Sequence, residues 1–123
     1  MVTKGFAFLL KAKPGKEQEL EDFLKAAEPL AEAEPDTTTW FAYKVDDETY
    51  GIFDGFLDDA GRQAHAEGMI ATGLMARADE LLMETPELTK VDILASKLTR
   101  GPVEKMMGQD QEMMGQKMMG QDR

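Results

Sequence analysis

Thr37-Thr38-Thr39-Trp40-Phe41-Ala42-Tyr43-Lys44-Val45, then Asp46-Asp47-Glu48, then Thr49-Tyr50-Gly51-Ile52-Phe53-Asp54-Gly55-Phe56-Leu57 is the stretch on which the fold turns. β-Branched and aromatic side chains fill both flanks, as a pleated, half-buried surface favours. The three acids between them read as a tight polar turn. Residues 37–57 are therefore expected to form a β-hairpin. Alternation puts Trp40, Ala42 and Lys44 on one face of its first strand and Phe41, Tyr43 and Val45 on the other. Apolar groups stand on both faces, so neither face belongs in water.

Outward to the N-terminus, Gly5-Phe6-Ala7-Phe8-Leu9-Leu10-Lys11-Ala12 reads as a strand stopped by Pro14-Gly15. Leu20, Phe23, Leu24, Ala27, Leu30 and Ala31 then recur at intervals of three and four, an amphipathic helix. Pro29 is expected to kink it or end its regular part, and Pro35-Asp36 closes it. Outward to the C-terminus, Asp58 or Asp59 can cap a second helix with its apolar stripe on Ala60, Ala64, Ala71, Leu74, Met75, Ala78, Leu81 and Leu82. Thr85-Pro86 ends that helix, and Leu88 to Leu98 reads as the last strand. The order βαββαβ is the ferredoxin-like α+β sandwich: a four-stranded antiparallel sheet with two helices on one face. The bare sheet face calls for a second copy, hence a homodimer forming a dimeric α+β barrel.

The chain divides at Gly101-Pro102, giving a domain over 1–101 and a tail over 102–123. The tail repeats Met-Met-Gly-Gln at 106–109, 113–116 and 118–121. It reads as a loosely docked or disordered segment, a helix induced by a partner, or a thioether site for a soft metal. Truncation after Gly101 is expected to change the melting temperature little.

Composition excludes much chemistry. No cysteine is present, which removes disulfides, thiolate nucleophiles and zinc fingers. His65 is the only histidine, so one chain cannot build a two-histidine metal site. Ser96 is the only serine, and asparagine is absent. Neither a phosphate-binding P-loop nor a dinucleotide fingerprint occurs. With 14 basic and 24 acidic residues the net charge is −10, which disfavours nucleic acid. No apolar run approaches the ~18 residues of a membrane span. The chain reads as acidic and cytoplasmic.

His65 has two readings from the residues alone: a half-exposed helix histidine, or a general base near neutral pH. Placed off the apolar stripe, its removal as a base should cost stability within about 1 kcal/mol. Arg62 can anchor an oxyanion or pair with Asp58 or Asp59. Asp54 is either a solvated acid near a turn or a pocket acid that orients His65 or a substrate hydroxyl. Gly61 and Gly68 weaken a helix, so something must approach it closely there: a ligand, the sheet or the other helix. Trp40 and Tyr43 lie on opposite strand faces and cannot line one pocket from a regular strand.

The Lys13-Pro14-Gly15-Lys16 turn, the βαββαβ order, Asp54, Phe56, Ala60, Ala64 and a histidine eleven residues after Asp54 resemble the antibiotic biosynthesis monooxygenase family. Asp54 stands where that family more often has glutamate, and Phe56 where it has Trp or Tyr. The resemblance implies oxygenation of a small aromatic or quinol-like substrate without metal, flavin or haem. His65, Arg62 and Asp54 are then the catalytic candidates, and Tyr43, Trp40, Phe53, Phe56 and Gly68 the substrate-binding ones. Phe6 and Phe8 are further possible walls. The alternative is a non-catalytic, ligand-binding or stress-associated dimer of the same fold.

Overall fold

The computed structural model describes residues 1–99; the repeated tail at 102–123 lies outside the described residues. Seven elements follow one another: β1 (Lys4–Lys11), α1 (Glu17–Glu32), β2 (Thr37–Lys44), β3 (Thr49–Phe56), α2 (Asp59–Ala66), α3 (Met69–Leu81) and β4 (Thr89–Asp92). The strands form one antiparallel sheet in the order β2-β3-β1-β4, as the ferredoxin-like reading requires. Gly15, at φ 85°, makes the turn from β1 into α1. A side chain at that φ would be strained, so glycine suits the position.

Alternation along the strands aims Phe6, Leu10, Tyr50, Ile52, Asp54 and Phe56 at the helices, and all six are buried. Leu20 and Leu24 of α1 and Leu74 and Leu81 of α3 close the core over Leu10, Tyr50 and Ile52. Each such leucine contributes about 1.5–3 kcal/mol of burial free energy. The sheet's other face is bare: Leu9 is 61% exposed, Phe41 58% and Val45 58%. No described helix is long and apolar enough to cross a membrane.

Three local departures from the sequence reading bear on the site. First, the second helix is two. α2 stops at Glu67, and Gly68, extended at ψ −177°, opens α3. The break resets the helical phase. The buried positions of α2 are Gly61, Arg62 and His65, while Ala60 and Ala64 are exposed. A stripe drawn through Ala60 and Ala64 along one continuous helix is therefore wrong over α2. Secondly, β4 covers only Thr89–Asp92, not Leu88 to Leu98. One further bond, Ile93 N–H to Thr3 O at 2.8 Å, continues the pairing, and Leu94 beyond it is 91% exposed. Thirdly, Pro29 lies inside α1, which runs on to Glu32.

Candidate functional site

Asp54 reaches the site because β3 pairs on both sides. Its neighbours across the sheet are Trp40 of β2 and Phe6 of β1, so the three stand in one row under the helices. Asp54 is 0% exposed. Neither of its carboxylate oxygens has a hydrogen-bond partner among the described residues. A buried acid without partners is costly, and a nearby positive charge is its usual compensation.

That charge comes from α2. Asp58 caps the helix by accepting a hydrogen bond from Gly61 N–H at 2.9 Å. Gly61 lets the helix start close to the loop before β2, since a Cβ there would stand 3.2 Å from Asp36 Cβ. The helix then turns His65 inward, 7% exposed, against Phe56 at 5.3 Å and Phe6 at 6.4 Å between ring centroids. Its Nε2 stands 3.0 Å from Asp54 Oδ2, a contact of charge that lies off the line of a hydrogen bond. Its Nδ1 hydrogen-bonds to Glu34 Oε1 at 2.6 Å. Burial by itself disfavours a charged imidazole, but Asp54 and Glu34 outweigh it and hold the pKa of His65 above its ordinary 6.5. The two carboxylates make the ring easier to protonate than a free imidazole.

Two spaces meet at His65. An outer groove of about 420 Å³ runs between the 33–37 loop and the α2–α3 junction, with Glu34, Asp36, Ala64, Gly68 and Met69 in its walls. An inner cavity of about 10 Å³ lies between sheet and helices, bounded by Phe6, Phe8, Trp40, Ile52 and Ile70. His65 lines both. Trp40 Nε1 is buried with no hydrogen-bond partner among the described residues.

The sequence candidates fall into two groups. His65 and Trp40 line the inner cavity, Asp54 and Phe56 stand against the His65 ring beside it, and Gly68 borders the groove. Gly68 is not within a helix; it precedes α3, and a Cβ on it would meet Glu34 Oε2 at 3.1 Å. Arg62 is buried too, but three of its five N–H donors hold it in place: Nη2 on Asp59 Oδ1 at 2.6 Å, Nη1 on Val91 O at 3.1 Å and, more weakly, Gly5 O at 3.4 Å. It fastens α2 to the β1–β4 ladder, and its guanidinium also lies 5.9 Å from the Phe6 ring centroid. Tyr43 and Phe53 are on the bare sheet face, where the Tyr43 ring covers Gly51, yet at the β2 edge Tyr43 also borders, with Trp40, a groove of about 480 Å³ against α1, which corrects the expectation that the two cannot line one pocket. Glu34 was not among the candidates. It sits in a polar helix exit, Glu32-Ala33-Glu34-Pro35-Asp36, whose acids all look solvated in sequence. Among the described residues no three histidines or acids are arranged to hold a metal ion.

The arrangement is an acid–base unit. The imidazolium can give a proton from Nε2, neutral imidazole can take one, and Asp54 supplies unused acceptors beside it.

Comparison with solved structures bears on the fold that carries this site. The fold is shared with two candidate antibiotic biosynthesis monooxygenases. One is from Nitrosomonas europaea, at 11% identity and TM-score 0.67, over 75% of this chain and 90% of that one. The other is from Caulobacter crescentus, at 16% identity and TM-score 0.65, over 76% of this chain and 92% of that one. The chain shares its fold with that class. A crystal structure of a protein of unknown function from Nitrosomonas europaea matches at 51% identity and TM-score 0.79, over 82% of this chain and 98% of that one. The chain belongs to the same family as that protein. No family model matches the sequence, and no curated protein does.

Proposed function

We propose that the protein is a cofactor-independent monooxygenase acting on a small aromatic or quinol-like substrate, with His65 and Asp54 as its acid–base pair. The observation that carries this reading is the buried His65–Asp54 contact at the wall of an aromatic-lined cavity. Neutral imidazole takes the proton of a phenol hydroxyl. The phenolate passes one electron to O₂, and the phenoxyl radical and superoxide combine at a ring carbon bearing hydrogen. The imidazolium returns its proton to the peroxide. O–O cleavage with loss of the ring hydrogen then releases water and leaves a quinone. One phenol and one O₂ thus become one quinone and one water. A dry, apolar cavity protects the radical pair.

Arg62, held against Asp59 and Val91 O and outside the wall of the inner cavity, does not serve as the oxyanion donor in this scheme; Trp40, in that wall with an unpartnered Nε1, does. The bare face carrying Leu9, Phe41, Tyr43 and Val45 is read as the homodimer surface, and the cytoplasm as the compartment. The second reading, a non-catalytic ligand-binding dimer, is favoured by the roomier outer groove of about 420 Å³, which can hold a small molecule without the inner cavity. Oxygen uptake with phenols and hydroquinones under ¹⁸O₂ separates the two. The oxygenase reading expects one labelled atom in the product and one in water, with uptake lost in Asp54→Asn. Binding without uptake across the series would sink it in favour of the second.

A further inference from the structure

His65 is the one residue shared by the walls of the outer groove and the inner cavity. The groove is roomy at about 420 Å³ and the cavity nearly filled at about 10 Å³. A ring cannot lie inside unless the space enlarges. The imidazole is held closed by two unequal ties: a short hydrogen bond to Glu34 on the groove side and an ill-aligned contact with Asp54 inside. Small residues, Gly61, Ala64 and Gly68, border the groove beside it, so the ring has room to swing outward. The α2–α3 break at Glu67–Gly68 separates its short helix from the next. Two neighbours of the ring carry buried polar atoms lacking hydrogen-bond partners among the described residues: Trp40, which shares the cavity wall with His65 and has the donor Nε1, and Asp54, whose Oδ2 is 3.0 Å from His65 Nε2 and whose oxygens are acceptors.

We propose that the His65 ring is a door between groove and interior, through which a small, neutral, hydroxylated ring enters to meet Trp40 Nε1 and Asp54. The ligand class follows from what is missing inside. One hydroxyl both accepts from the indole N–H and donates to the carboxylate. An anionic ring is rejected, since Glu34 and Asp36 line the entrance and Asp54 lies against the space the His65 ring would vacate. The charged groups facing His65 are Glu34 from the loop before β2 and Asp54 from β3; β1 faces it with Phe6, and Arg62 on its own helix lies against that same Phe6 ring. Raising the pH removes the imidazolium, loosens both ties and opens the door more often. The inference rests on the site receiving a phenol-like ligand, but not on turnover.

Trp40 is the only tryptophan, so its emission reports arrival in the cavity. The test is stopped-flow tryptophan fluorescence of the full chain mixed with phenol, with 4-hydroxybenzoate as the anionic comparison. The expected association rate rises with phenol concentration and then levels off, the plateau climbing with pH, while 4-hydroxybenzoate gives no response at the same concentrations. Ala64→Leu, at an exposed position in the groove, should slow association at least fivefold and leave the dissociation constant within twofold. His65→Ala combined with Asp54→Asn, which leaves no unpaired buried charge, should abolish the plateau and raise the top rate at least tenfold. An Ala64→Leu rate within twofold of the parent, a plateau kept in the folded double variant, or no response to phenol would each overturn the door. Phenol binding through the door without oxygen uptake would contradict the oxygenase and leave the door standing. Uptake at a rate indifferent to Ala64→Leu would do the reverse.

Discussion

At the scale of single residues, His65 and Asp54 cannot be treated separately. His65→Ala leaves the Asp54 carboxylate buried with no positive partner, and breaking such a pair costs about 3–5 kcal/mol. Urea unfolding should show that loss, and Asp54→Asn added to it should recover part. This revises the expectation of a loss within about 1 kcal/mol, which placed His65 off the buried stripe. The pH dependence has a definite sign. The folded pKa of His65 is raised above 6.5, so the stability it adds is complete below pH 6.5 and is lost as pH rises through the folded value. Unfolding free energy measured from pH 6 upward should fall over that window in the parent. It should stay flatter in His65→Gln; equal slopes in both would remove the charge pair from the account.

At the scale of elements, Pro29 sits at an exposed position inside α1, where it deprives the helix of a backbone donor. Pro29→Ala is expected to raise stability by up to about 3 kcal/mol, since Ala33 N–H already bonds to the residue's carbonyl and the helix continues past it. A lower melting temperature would mean that the proline sets the path of the chain into β2. Gly73→Ala is a companion case: its Cβ would lie 3.6 Å from the Phe23 ring, an ordinary contact, and helix propensity favours it by about 0.5–1 kcal/mol.

The elements were largely legible in the sequence. Period-two and period-3.6 patterns mark β1, α1, β2 and β3, because each buries one face against the same core. The α2–α3 break was not, because Ala60 and Ala64 extend the apolar period of α3 backwards by accident of composition. The alternation in 88–98 overstates β4, since a strand lasts only as long as a partner pairs with it. In the site, His65 and Asp54 stand out as a lone histidine and an acid on an apolar strand. Glu34 does not, because its role is fixed by a contact between residues 31 apart in sequence.

At the scale of the whole molecule, the bare sheet face predicts association. Light scattering at micromolar concentration should give twice the 13.7 kDa chain mass, and Phe41→Asp should return it to one chain with little change in unfolding free energy of the monomer. A parent mass of 13.7 kDa would show that the face tolerates water. The fold also brings β3, the 33–37 loop and α2 to one junction, and everything proposed about function passes through the imidazole there. Because the chain holds a single histidine, the ring nitrogens give one set of NMR signals. Their titration should have a midpoint above 6.5 and move downward in Asp54→Asn. A midpoint at or below 6.5, or one that Asp54→Asn leaves in place, would contradict the charged His65 held between two carboxylates.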